Sequence, residues 1–138
     1  MRIVLDTNVI VSGTFWSGNS FKLLNLIELN NFTIIVSLPI LKEYNKIISS
    51  KEILNKTTAY QQARVGSLSK ILSKAILVNP KEKISIVKED PDDDKFIEAA
   101  TEANADYIIS QDKHLLKIKK YKNIKILTPE EFLQTSNL

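Results

Sequence analysis

The sequence predicts an α/β protein, a parallel sheet of about five strands with helices on both faces. Three observations predict it. Short apolar runs at 2–5, 32–36, 75–78, 107–110 and 124–127 alternate with longer stretches of helical spacing. The runs are apolar throughout rather than at every second residue, as strands covered on both faces require. Acids also follow the runs: Asp6 ends the first and Asp112 lies just past the fourth. In open parallel sheets the reactive groups lie beyond the carboxyl ends of the strands.

Arg2-Ile3-Val4-Leu5 reads as the first buried strand, and Thr7-Asn8 can cap a short helix from Val9 that stops near Gly13. Residues 16–20 form a loop, with Phe15 and Trp16 expected as a buried aromatic anchor, the alternative being part of an interface. From Phe21 to Leu29 the apolar residues Phe21, Leu23, Leu24, Leu26 and Ile27 recur at helical spacing. Phe32–Val36 is the second strand. A helix follows from about Pro39 to Ile48, with Ile40, Tyr44, Ile47 and Ile48 inward. Residues 50–76 read as a helix or helical hairpin, broken somewhere because Gly66 weakens one continuous helix. Ala75–Val78 is a third strand, weakly extended by Ile84–Val87. An acidic helix covers roughly 91–103, with Asp90 as N-cap and Pro91 in its first turn. Tyr107–Ser110 and Ile124–Leu127 are the fourth and fifth strands, and Thr128 caps a final helix from Pro129. One domain over residues 1–138 is expected, with 134–138 as a loose tail.

Composition narrows the chemistry. The chain has no Cys and one His, so thiolate sites, thiol nucleophiles and His-rich zinc sites are excluded. With three Gly it carries neither a P-loop nor a dinucleotide fingerprint. Met1 leads straight into the first strand, and no apolar run approaches the ~18 residues of a membrane span, so a cytoplasmic protein is expected. Setting aside the acids at 6, 43, 89, 90, 92, 93, 94 and 112 leaves eight acids against 19 Lys and Arg. An acidic spot on a basic background suits a metal site that attracts a polyanion, although a lysine-rich surface alone would give the same excess.

Glu89-Asp90-Pro91-Asp92-Asp93-Asp94 is denser in acid than capping needs. A helix N-terminus tolerates negative charge, but one or two acids satisfy it. Asp6, Glu43 on the helix after the second strand, this cluster and Asp112 come from four segments that the fold brings to one sheet edge. Converging carboxylates without Cys or His suit a hard ion, Mg²⁺ or Mn²⁺. With one or two such ions the array can activate a water for phosphodiester hydrolysis. At about 100° per residue Asp92 and Asp93 fall over the ends of the stripe Phe96, Ala99, Ala100 and Ala103, whereas Asp94 points toward solvent. Asp92 and Asp93 are therefore both placed to face the metal.

The wording of these segments resembles the PIN domain family. The resemblance rests on Ile3-Val4-Leu5-Asp6-Thr7-Asn8-Val9-Ile10-Val11-Ser12, on residues 37–44 around Glu43, and on Asp90-Pro91-Asp92-Asp93-Asp94-Lys95-Phe96. It continues through residues 105–116, which include Ser110, Asp112 and His114, and ends at 126–132. In this order they cover nearly the whole chain, and the subgroup resembled is that of VapC-type toxins of toxin–antitoxin systems. The resemblance implies a Mg²⁺- or Mn²⁺-dependent ribonuclease acting on an RNA substrate, with a cognate antitoxin as partner and often a homodimer. By position it implies metal-binding acids at Asp6, Glu43, one of 92–94, and Asp112, with Asn8 and Ser110 as polar supports. Asp93, four before Ile97 and seven before Ala100, has the family's spacing and is the expected ligand, with Asp92 as the alternative. Ser110 stands where the family more often has Thr, and His114 where a second acid is frequent.

Plainer roles exist for each residue. Asp6 could cap a helix, Glu43 could pair with Lys42 or Lys46, and Asp112 could form a turn. His114 reads as a partly exposed helix residue. The lysines at 113, 117, 119, 120, 122 and 125 form either a solvated face or a phosphate-contacting rim. Two rival functions remain: a PIN-fold module that binds RNA or protein without cutting, and a phosphatase or signalling domain. A haloacid-dehalogenase-like phosphatase needs Asp two residues after the first, where this chain has Asn8, and no receiver-type acidic pair ends the first strand. Within the nuclease reading ribosomal, transfer and messenger RNA and structured DNA are all open targets.

Overall fold

The order of elements follows from the alternation of apolar runs and amphipathic stretches. The structure, a computed structural model, describes residues 1–30 and 32–135. In chain order these are β1 (Arg2–Leu5), α1 (Thr7–Phe15), α2 (Asn19–Asn30), β2 (Thr33–Val36) and α3 (Leu38–Ile48). Three short helices follow, α4 (Lys51–Lys56), α5 (Ala59–Ala63) and α6 (Val65–Leu72), then β3 (Ile76–Leu77). A 3₁₀ turn (Pro91–Asp93) opens α7 (Asp94–Glu102). The chain continues through β4 (Tyr107–Ile109), α8 (Lys113–Leu116), β5 (Lys120–Tyr121), β6 (Ile124–Leu127) and α9 (Pro129–Thr135).

The strands lie in the order β3-β2-β1-β4-β6-β5, with every pairing parallel except that of β5 with β6. Strand order reverses at β1, so the crevice between the carboxyl ends of β1 and β4 is the natural site for reactive groups. The Asp6 N–H continues that pairing past the strand end by donating to the Ile109 carbonyl at 3.0 Å. Ile3, Val4, Leu5, Ile108 and Ile109 are wholly buried. Each contributes about 1.5–3 kcal/mol, so the two central strands are the fixed floor of the site. Among the described residues no helix is long and apolar enough to cross a membrane.

Several expectations are corrected. The five expected strands form and pair in parallel, and among the described residues a sixth is added, because Lys120–Tyr121 folds back antiparallel on β6 through a turn with Lys122 at φ 52°. Residues 50–76 break twice, at Thr57–Thr58 and at Arg64, before reaching Gly66. The first helix begins at Thr7 and runs past Gly13 to Phe15. Gly13 is needed there for packing: a Cβ would lie 2.5 Å from Leu24 Cδ1 and 2.8 Å from the Ser20 carbonyl oxygen. Phe15 is buried, whereas Trp16 is 36% exposed. Thr128 caps α9 reciprocally with Glu131, and that helix takes in Gln134 and Thr135 of the expected loose tail. Residues 136–138 lie outside the described residues.

The weak strand at 84–87 does not form. Its N–H groups are taken instead by carboxylates on one face of α7. Asp94 Oδ1 accepts from Ile86 N (3.0 Å) and Val87 N (2.8 Å), and Glu98 Oε2 accepts from Ile84 N (2.9 Å). Glu102 Oε1 accepts from Lys81 N at 3.0 Å. Residues at i, i+4 and i+8 share a helix face, so α7 holds this segment with side chains where a sheet would use a neighbouring strand.

Candidate active site

The carboxyl edge of β1 and β4 gathers three of the residues singled out from sequence. Asp6 is 5% exposed and occupies the N-cap position of α1, yet its side chain makes no capping bond. Instead the buried Ser110 hydroxyl donates to Asp6 Oδ2 at 2.6 Å and accepts from Asp112 N at 2.9 Å. Ser110 thus ties the ends of the two strands together. Asp112 caps α8, with Oδ1 accepting from His114 N at 2.8 Å. It is both a turn-former and a member of the cluster.

Asp93 comes to this edge at the end of the 3₁₀ turn. It is 7% exposed, and its Oδ2 is buried without a hydrogen-bond partner. Carboxylate oxygens of Asp90, Asp93 and Asp112 lie within 4.8 Å of one another. Burial pushes the Asp93 carboxyl up to about 8, helped by the close approach of Asp112 and by the charges of Asp6, Asp90 and Asp112. Asp6 is also raised, chiefly by burial and then by Asp112 and Glu43, against the pull of the Ser110 bond. Asp93 and Asp6 resist ionisation because they are buried beside other acids.

Glu43 reaches the same edge in a different condition. Its Oε2 accepts from the Thr7 hydroxyl and its Oε1 from Lys95 Nζ at 2.8 Å. Neither Lys42 nor Lys46 is its partner. The next residue of α3, the buried Tyr44, donates its hydroxyl to the Leu5 carbonyl, fixing α3 against the end of β1. Burial, with the charges of Asp6 and Glu43, raises that phenol well above its ordinary range.

The aspartates at 90–94 divide otherwise than helix phase predicted. Asp90 stands at the N-cap position without a side-chain capping bond and belongs to the acidic cluster. Asp92, the alternative metal-facing residue, is exposed and paired with Lys95 at 2.8 Å, which lowers its pKa. Asp94, expected to face solvent, is 7% exposed and anchors residues 86–87. The α-helix begins only at Asp94; before it the 3₁₀ turn advances about 120° per residue, so the phase of α7 does not extend back. Segment 84–87 also covers the face that would otherwise meet water.

Asn8 is exposed on the first turn of α1. His114 lies half-buried with Nδ1 3.9 Å from Glu89, which also pairs with Lys117 of the lysine run. Sequence reasoning missed Thr7, Lys95 and the membership of Asp90. Lys95 was legible in principle, being three residues after Asp92 in the sequence.

A parallel sheet with acids at this edge defines a class, the α/β domains that present a carboxylate cluster beyond the switch point. Residues 2–114 match the model of the PIN domain, and the chain belongs to that family. The fold is also similar to the crystal structure of VapBC2 from Rickettsia felis bound to a DNA fragment from their promoter. That match has a TM-score of 0.57 at 19% identity and covers 91% of this chain and 97% of that one. Among curated proteins none matches.

Proposed function

We propose that this chain is a Mg²⁺- or Mn²⁺-dependent endoribonuclease whose ion is held by Asp93 and Asp112, with Asp6 and Asp90 beside them. The observation that carries this reading is the Asp93 carboxylate: buried, without a donor at Oδ2, and facing other acids. Such an arrangement is costly unless a cation joins it, and an all-oxygen donor set fits a hard divalent ion.

A bound ion supplies Lewis-acid polarisation of the phosphodiester and lowers the pKa of water at the site. The chain's own groups do the rest. Ser110 holds Asp6 and Asp112 in register across the two strand ends, and Thr7 and Lys95 hold Glu43 on the opposite wall. A cleft of about 340 Å³ lined by Ser37, Pro39, Lys81, Lys83, Lys95 and Glu98 adjoins that wall. Lys81 and Lys83 there offer a path for a polyanionic backbone, and the excess of basic residues elsewhere favours the same ligand. Family membership and the likeness to VapBC2 support a toxin role with an antitoxin-type protein partner, and a homodimer is part of the same reading. Growth arrest on expression, relieved by the product of an adjacent reading frame, is the expected behaviour.

The test is Mn²⁺-dependent cleavage of RNA by purified Asp6→Asn, Asp93→Asn and Asp112→Asn proteins. Each is expected to lose at least the ~10–100-fold that even an outer-shell partner costs a metal site. Undiminished cleavage by all three, folded by circular dichroism, overturns the assignment. A wild-type protein that binds RNA but no Mn²⁺ is a binding module instead.

A further inference from the structure

The acidic edge already contains one cation. The Lys95 side chain is only 10% exposed, and its ammonium donates to Glu43 Oε1 (2.8 Å), Asp92 Oδ2 (2.8 Å) and the Asp92 carbonyl (3.0 Å). An ammonium has three N–H donors, so all are taken. With Thr7 donating to Glu43 Oε2, both Glu43 oxygens are also occupied. The edge therefore has two unlike halves. Around Asp93, acids face acids and Oδ2 has no donor; around Glu43, every acid already has a positive or hydroxyl partner.

We propose that the Lys95 ammonium takes the place of a second metal ion, so that this chain binds one divalent cation at Asp93–Asp112 and none at Glu43. This rests on the divalent-ion reading given above and specifies its stoichiometry. Paired-ion sites for phosphoryl transfer set two cations about 3.5–4 Å apart. Here the carboxylates that would hold a second one are committed to a fixed monocation, whose charge also repels a dication from that corner. Displacing Lys95 is unfavourable, because its side chain is largely buried and its ammonium lies 5.3 Å from the Phe96 ring centroid. The ammonium would have to leave two acids at once. Glu43 is then a wall held by Lys95, and Lys95 is a positioning residue that supplies fixed positive charge.

Calorimetric titration of the purified full chain with Mn²⁺ tests this directly. The wild type should bind one equivalent, and Lys95→Arg should also bind one. Lys95→Met frees Glu43 and Asp92 and should gain a second, weaker equivalent. In addition Glu43→Gln should keep its single ion within about threefold of wild-type affinity, whereas Asp93→Asn should weaken it by about tenfold or more. Two equivalents in the wild type, one in folded Lys95→Met, or a loss in Glu43→Gln matching that in Asp93→Asn each overturns the inference. The wild-type count and the Glu43→Gln comparison decide it even if Lys95→Met does not fold. No Mn²⁺ binding at all by the wild type would instead overturn the metal reading beneath it.

Discussion

Two neighbouring aspartates in α7 and its lead-in turn meet opposite fates. Asp94 is buried and gives its Oδ1 to two backbone N–H groups. Asp93 is equally buried and has an oxygen with no donor at all. Around Asp94 the carboxylates of Glu98 and Glu102 continue the same service along the helix. Around Asp93 the neighbours are Asp6, Asp90 and Asp112, each a like charge. Burial alone therefore does not separate structural from functional acids in this molecule. Whether the buried oxygen has a donor does.

The contrast is broken most forcefully by removing each acid in turn. Asp94→Ala strips the acceptor from the N–H groups of Ile86 and Val87. A buried group left unsatisfied costs about 1–3 kcal/mol, so a loss of roughly 2–5 kcal/mol is expected in urea or thermal unfolding. Proteolysis between residues 80 and 90 should accelerate with it. Asp93→Asn should do the reverse: without metal it should be at least as stable as the wild type at pH 8, while losing Mn²⁺ affinity. Equal destabilisation by both substitutions would erase the distinction.

A smaller effect sharpens it through pH. Asp93 has its carboxyl at about 8, against an ordinary 3.8. Between those values the folded, metal-free protein keeps a proton that the unfolded chain has released. Its contribution is full below about pH 4 and is lost as pH rises through 8. Asp6, also raised, acts with the same sign, whereas the lowered Asp92 contributes stability that is present above its ordinary 3.8 and is lost only as pH falls below it. The urea midpoint should thus fall from pH 5 to pH 8 in metal-free protein, and much less in Asp93→Asn. Saturating Mn²⁺ takes the place of the proton, so it should flatten the wild-type profile and release protons on binding. A midpoint independent of pH in the metal-free wild type would count against a neutral Asp93.

How far sequence reached follows the same division. Strands with long apolar runs were legible because burial on two faces leaves little choice of residue. Lys120–Tyr121 was not, being two residues long with a lysine at the positive-φ turn position. The convergence of Asp6, Asp93 and Asp112 at one edge follows from strand order, and so could be anticipated. What helical phase could not supply was the 3₁₀ turn, which leaves Asp92 out of the phase of α7, and the cover of segment 84–87, which buries Asp94. Nor could sequence show that Lys95 rather than Lys42 or Lys46 would reach Glu43, since that pairing joins elements 52 residues apart. The i, i+4, i+8 acids of α7 were visible as a spacing, but their partners were read as a strand.

The smallest expected effect lies at the far end of that row. Exposure increases from buried Asp94 through half-buried Glu98 to the solvent-exposed bond of Glu102 with Lys81 N. If the backbone N–H groups matter because water cannot reach them, the cost of alanine should decline in that order. Glu98→Ala should cost about 1 kcal/mol, one net hydrogen bond. Glu102→Ala should fall within about 0.5 kcal/mol of the wild type, because water replaces the lost acceptor. Glu102 is also the last residue of α7, where the helix dipole disfavours negative charge by about 0.3–1 kcal/mol. Removing it therefore offsets part of the loss, and at low salt the variant should unfold at or slightly above the wild-type temperature. A Glu102→Ala protein as unstable as Asp94→Ala would mean that the row acts as one cooperative unit, rather than through the burial of each N–H group.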